Sequence, residues 1–452
     1  MRLKGLLQRY LPHSSFVRSV SVLAGGTALA QGIGVLALPL ITRIYTPEDF
    51  SILAIFTSIA AIASAAICLR LEIAIPIPEH DEDAVNLLIL ALGFCTLLSA
   101  LLGIVLWVFQ DEAINTLKQP NLKPFIWMLP LSIWLSGIYS AIQFWSTRKK
   151  RFTEIAKTKI SQILSSTVTQ IIFGISSALG ATGLLIGQIA SSGTGLTKLF
   201  FSAWKKDKNF LPLINQEKIK NTLTTYSRYP KYSSLEAIAN IAAIQLPIVI
   251  IGATSTGPDA GYLLLAMKAA ATPMGLIGNS ISQVYLSHAS LEYRKGQLKE
   301  FTLSIIDKLI KVGIGPIIFI GITSPTLVPL IFGEDWKKSG IMIAWMAPWF
   351  AIQFITSPIS MALHVTGQQG ISLLNQFIGF LLRVGLTFLA SIFAKNTIFE
   401  WYAISGFIAY SIYFLAIAYS TKIKFQDLKV KFINQILYCS PWVLFALLLL
   451  SI

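Results

Sequence analysis

The stretch AVNLLILALGFCTLLSALLGIVLWVF, residues 84–109, runs for 26 positions without one charged side chain. A hydrocarbon core about 30 Å thick is crossed by roughly 20 residues of α-helix, so this segment is long enough to span a bilayer. Helix is the form expected, because the backbone groups of a single segment have no water to bond in lipid. Working outward, eleven more apolar runs are bounded by charge or by Gly and Pro, at 18–41, 50–69, 122–146, 156–179, 182–203, 232–252, 259–287, 303–326, 339–362, 370–393 and 398–420. Twelve spans explain a composition that is 54% apolar and 13% charged, with a mean hydropathy of +0.67. Soluble domains carry about 25% charged residues, so an ordinary soluble enzyme is excluded. The expected fold is an all-α polytopic membrane protein of about 12 transmembrane helices, with residues 432–452 readable as a thirteenth.

Charge sets the expected orientation. With the N-terminus inside, the internal segments hold 25 Lys and Arg and the external ones six, which is the bias that places the N-terminus on the cytoplasmic side. The net charge of +15 is therefore spent on topology rather than gathered on one folded face, and no nucleic-acid partner is expected. The longest polar connection, 205–231, is basic and divides the chain into an N-terminal lobe, 1–204, and a C-terminal lobe, 232–420, with 421–452 as an extension. Thr46-Pro47-Glu48-Asp49 and Gly257-Pro258-Asp259 start helices in the same way at matching places in the two halves, a faint sign of duplication.

Several chemistries lack their residues. There is no GxxxxGK[ST] loop to cradle nucleotide phosphates, no HExxH and no GxSxG, and the external segments are too short for a catalytic domain. Cys68, Cys95 and Cys439 fall inside apolar runs without CxxC spacing and read as small core residues. Neither an enzyme nor a cofactor or metal is expected.

What remains is polarity inside the membrane, where an ionised side chain costs about 2.5–3.5 kcal/mol at the centre and normally faces a cavity or a partner. In the span 259–287, Lys268, Thr272, Gly275, Asn279 and Gln283 recur at three- and four-residue spacing and fall on one stripe. The stripe suits either a wet passage or hydrogen bonding between helices. Arg383 shares a face with Gln376 and Gly379 near the middle of its span, placed for a cavity or for a carboxylate on another helix. Thr27 and Gln31 form a polar pair in the first span. Glu236, with Asn240 one turn on, suits either a static pair with a lysine or uptake of a proton or sodium ion.

The stretch Gly25-Gly26-Thr27-Ala28-Leu29-Ala30-Gln31, continuing through Leu38-Pro39-Leu40-Ile41-Thr42-Arg43-Ile44-Tyr45-Thr46-Pro47-Glu48-Asp49-Phe50, resembles the opening of the bacterial polysaccharide biosynthesis proteins of the flippase type. These belong to the multidrug, oligosaccharidyl-lipid and polysaccharide exporter superfamily. Arg70-Leu71-Glu72-Ile73-Ala74-Ile75-Pro76 and Leu330-Ile331-Phe332-Gly333-Glu334-Asp335-Trp336 are similar to further family features, and Ser51 stands where members often have Gly. The resemblance implies two lobes around a central cavity lined by basic and polar residues. It implies an undecaprenyl-diphosphate-linked oligosaccharide, such as an O-antigen unit, as substrate, with membrane lipid, a polysaccharide polymerase and chain-length machinery as partners. Arg383 and Lys268 are the residues it carries over as cations for the diphosphate. Gln31, Asn279 and Gln283 would then solvate the sugar, and Glu236 would couple an ion.

Overall fold

The computed structural model describes residues 15–175, 180–254 and 257–451, and no strand occurs among them. Thirteen long helical rods follow one another: α1 Ser15–Ile44, α2 Pro47–Ser64, α3 Asp81–Val108, α4 Met128–Arg148, α5 Phe152–Ile175, α6 Ala181–Asp207 and α7 Ser234–Thr254, then α8 259–294, α9 Leu298–Phe332, α10 Lys337–Ile359, α11 Gln369–Phe393, α12 Ile398–Ser420 and α13 Phe425–Ser451. Each of the twelve segments read as spans overlaps one rod over most of its described residues. Eight of the rods are long and apolar enough to cross a membrane. The four that are more polar are α4, α5, α6 and α8, and the last two carry Lys198 and Lys268. The apolar part of α13 is Tyr438–Leu450, inside a continuous helix that starts at Phe425.

Two boundaries differ from the sequence reading. The second span ends at Ser64 rather than 69, because the chain turns there and passes Leu69 and Arg70 in left-handed conformation, φ 52° and 58°. The fourth starts at Met128 rather than 122, because Pro120 and Pro124 confine Pro120–Phe125 to a tight 3₁₀ turn.

The described chain groups into two compact units, one of Met1–Ala37 with Ile59–Ile241, the other of Leu38–Ser58 with Ala242–Ile452. The expected lobes divide the chain by span number and these units divide it by contact; α1, α2 and α7 contribute to both.

In the first unit, side chains outside the spans tie the helix ends together. Arg148 donates from Nε to Asp81 Oδ1 at 2.9 Å and from Nη1 to the Pro78 carbonyl. Arg151 grips both oxygens of Asp207 at 2.6 Å, and the Trp145 indole donates to Asp207 at 2.8 Å. Burial works against the Asp207 carboxylate, but the bonds from Arg151 and Trp145 more than offset it and hold its pKa below the ordinary carboxylate value. The connection after α6 is docked rather than free. Asn86 on α3 donates to the Leu213 carbonyl and accepts from the Asn215 amide, and Lys218 pairs with Glu82 at 2.6 Å.

In the second unit, two of the family-like stretches meet. Thr46 and Asp49 cap each other at the start of α2, with the Thr46 amide donating to Asp49 Oδ2 at 3.0 Å and the Asp49 amide to Thr46 Oγ1 at 3.3 Å. Trp336, 1% exposed, donates from its indole to the Thr42 carbonyl at 3.0 Å and packs edge-on against Phe50 at 4.8 Å. Ser51 donates to the Gly257 carbonyl at 3.2 Å, so the position where members often have Gly makes a bond of its own.

Candidate functional site

Four π-helical turns interrupt the described helices, Tyr229–Ser233, Met267–Ala271, Ile310–Ile314 and Leu381–Gly385, and each holds one basic residue: Lys231, Lys268, Lys311 and Arg383. Such turns are rare, and they rotate the side chains after them out of the regular register. The last three lie within the rods α8, α9 and α11. Lys311 is occupied: it pairs with Asp307 at 2.9 Å and lies 5.3 Å from the Tyr438 ring on α13. The pair is local, one turn apart on α9, and the ring contact places Lys311 beside the last helix.

Lys268 and Arg383 differ from Lys311, because no ion pair among the described residues includes either. Lys268 presents exposed side-chain surface although protein atoms surround it closely. Arg383 is half-buried. Its Nε donates to the Gly379 carbonyl at 3.1 Å, one turn back on its own helix, and its guanidinium carbon sits 5.9 Å from the Tyr410 ring on α12. Of the two partners open to it from sequence, a carboxylate on another helix is not the one found. An aromatic face takes that place, which steadies the cation without neutralising it.

On the far side of Tyr410 stands Trp349 of α10, the two ring centres 6.4 Å apart. Ser357 and Gln353 line one side of a cavity of about 150 Å³, and Gly275, Gly278 and Ser282 of α8 line the other. Gly275 belongs to the polar stripe read from sequence. None of Arg383, Tyr410 and Lys268 lines this cavity, whose polar side chains come from α8 and α10 of the second unit. The side chains of Asn279 and Gln283 lie outside the described residues, and only their helical backbone is placed.

Gln31 is exposed on α1 in the first unit, and its neighbour Thr27 spends its hydroxyl on the Leu23 carbonyl at 2.9 Å. Glu236 is exposed in the first turn of α7. No ion pair among the described residues includes it.

Sequence reading missed a second cavity, of about 410 Å³, in the first unit between α5 and α6. Lys157, Thr158 and Ser161 line it from α5, and Lys198 and Ser202 from α6. Lys198 donates to Ser161 at 2.6 Å and enters no ion pair among the described residues, whereas Glu154 at the rim is taken by Lys206 and Ser202. The signal was present as Lys157 and Ser161 four apart, but pairing them with Lys198 required the packing of α5 on α6. Gln353 and Ser357, also four apart, went unread for the same reason. No group of three His, Cys, Asp or Glu side chains that could hold a metal ion occurs among the described residues.

These features can be set beside known proteins. The fold is similar to that of the lipid II flippase MurJ in an inward closed conformation, with 16% identity, 94% of this chain and 97% of that chain covered, and a TM-score of 0.69. It is also similar to a multidrug resistance MATE family transporter of the MOP superfamily, in its inward-facing conformation (14% identity, 89% and 97% covered, TM-score 0.58) and its outward-facing one (14%, 89% and 95%, 0.53). Comparison with curated proteins finds no match. Residues 40–340, a span that includes the Thr46 cap, Lys268 and the Trp336 anchor, match the family model described as polysaccharide biosynthesis protein, and to that family the chain belongs.

Proposed function

We propose that the protein is a flippase that carries undecaprenyl-diphosphate-linked oligosaccharide from the inner to the outer leaflet of the bacterial cytoplasmic membrane, for O-antigen-like surface polysaccharide. The observation that carries this reading is the pair of cations Lys268 and Arg383, each on a π-turn inside a long helical rod and each outside every ion pair among the described residues. Fixed positive charge in such a place has a use if the cargo supplies the counterion. A sugar head with a diphosphate is kept out of hydrocarbon by desolvation, and the protein replaces its water. Lys268 and Arg383 neutralise the diphosphate, with Lys198 and Lys157 offering a second cationic surface. Gln31, Asn279 and Gln283 bond the sugar hydroxyls, and the lipid tail stays in the bilayer.

Access alternates between the two faces, as expected for two-lobed transporters. Two negative charges leaving a cell held near 100 mV negative inside gain about 4–5 kcal/mol, so the membrane potential gives the direction. Glu236, exposed and outside any described ion pair, is the place for a coupling proton or sodium ion. A polysaccharide polymerase and chain-length machinery then take up the unit on the far side. The likeness to a lipid II flippase and the family membership both support a lipid-linked cargo. An exporter of cationic small molecules is the competing reading, and it calls for carboxylates in the positions where this chain has Lys268 and Arg383.

The test is movement of fluorescent lipid-linked oligosaccharide in reconstituted vesicles. Lys268→Gln and Arg383→Gln each slow it by at least about tenfold, the equivalent of one lost charge-assisted contact. Rates unchanged in both variants refute the cationic-site mechanism. Glu236→Gln removes any acceleration by an imposed proton or sodium gradient and leaves potential-driven movement intact.

A further inference from the structure

A third cavity is separate from those two. It is a crevice of about 150 Å³ in the first unit, almost wholly apolar, with Leu88 and Leu92 of α3 and Ile142 of α4 among its lining residues. Phe200 and Trp204, stacked at 5.8 Å, form a wall, and both remain substantially exposed at 42% and 50%. Phe210, from the connection that follows α6, lines it as well, edge-on to Trp145 at 5.9 Å. Its one carboxylate, Asp207, is gripped by Arg151, so it offers no repulsion to an anion. Lys208 lines the mouth and Lys205 stands one turn before it; both are exposed, and neither enters an ion pair among the described residues.

Aliphatic floor, aromatic wall and free lysines, arranged in that order toward a helix end, match the profile of a membrane interface from acyl chain to headgroup. Exposed Phe and Trp at that depth favour lipid over water, and two unpaired lysines favour a negative headgroup over a neutral one. We propose that this crevice is a binding site for an anionic phospholipid, with one acyl chain against Leu88, Leu92 and Phe200 and the phosphate at Lys205 and Lys208. Because Phe210 and Lys208 belong to the connection while the floor belongs to α3 and α4, the bound lipid clamps the connection onto the helices. The site is therefore structural and regulatory, apart from Lys268 and Arg383 in the other unit.

The full-length protein in neutral detergent is exposed to phosphatidylglycerol, phosphatidylcholine or undecaprenyl phosphate, and retained lipid is counted by native mass spectrometry. Phosphatidylglycerol is retained preferentially and raises the thermal unfolding midpoint. The surface double variant K205E/K208E lowers its retention by at least about tenfold, since each basic residue near a membrane surface contributes a factor of several. Ala203→Leu fills the crevice and lowers it as well, with circular dichroism confirming a native helical content in both. Equal retention of phosphatidylcholine, preferential retention of undecaprenyl phosphate, or undiminished phosphatidylglycerol in folded K205E/K208E each overturns the proposal.

Discussion

The guanidinium of Arg383 rests over the ring of Tyr410, 5.9 Å from its centre, with the Gly379 carbonyl accepting from Nε. The cation is thus held in place from two sides by groups that leave its charge intact. Tyr410→Phe keeps the ring face and is expected to flip substrate at close to the parent rate. Tyr410→Leu loses a stacking contribution of about 1 kcal/mol and slows transport roughly fivefold in the vesicle assay. Equal rates for the two variants would show that the ring does not position Arg383.

Trp336 joins two distant stretches of sequence by one hydrogen bond and one edge-on ring contact. Removing a fully buried Trp costs about 3–5 kcal/mol. Trp336→Ala is expected to lower the unfolding midpoint in detergent sharply, whereas Trp336→Phe, which keeps ring packing but not the bond to Thr42, lowers it less. A midpoint unmoved by Trp336→Ala would refute the anchor.

Two glycines at close helix approaches differ in what a methyl group would meet. At Gly261 an added Cβ falls 2.0 Å from the Pro47 carbonyl oxygen and 2.8 Å from the Ser51 amide, all backbone. At Gly195 it falls 2.3 Å from Gln162 Nε2, the end of a side chain that can swing aside. Gly261→Ala is accordingly expected to cost more than the usual overpacking penalty of about 1–3 kcal/mol, and Gly195→Ala to cost about 1 kcal/mol or less. Thermal unfolding of the two variants side by side decides it, and the reverse order would refute the packing.

Asp207 has its carboxyl held below the ordinary value by Arg151 and Trp145. A depressed carboxylate stabilises the fold above its unfolded pKa, near 4, and that contribution disappears as pH falls through the lower folded value. Asp207→Asn is expected to destabilise the protein at pH 7 by about 1–3 kcal/mol, the range for hydrogen bonds to a charged group. The difference from the parent protein shrinks as the solution is acidified below pH 4. A gap that stays constant with pH would show that the ion pair contributes nothing.

The spans were legible because the bilayer imposes one rule on all of them: a run of about 20 apolar residues. Segments as different as 84–109 and 398–420 obey it. Boundaries were less legible where local chemistry intervenes, as at Pro120 and Pro124 or at the left-handed pair Leu69 and Arg70. Arg383 and Lys268 could be picked out as candidates because a charge in an apolar run is conspicuous in sequence. Tyr410, Ser357 and Lys198 could not, since a tyrosine, a serine or a lysine near a span end is ordinary until its neighbour is known.

Sequence alone determined the all-helical character and the presence of cations within the helices, because hydrophobic length and charge are properties of a segment by itself. Tertiary structure decided which of those cations are spent. Lys311 is paired with Asp307 beside the Tyr438 ring of α13, Arg383 is steadied by Tyr410, and Lys198 meets Ser161 across two helices. Whether a charge is available depends on distances between side chains far apart in the chain, and those distances exist after the helices have packed.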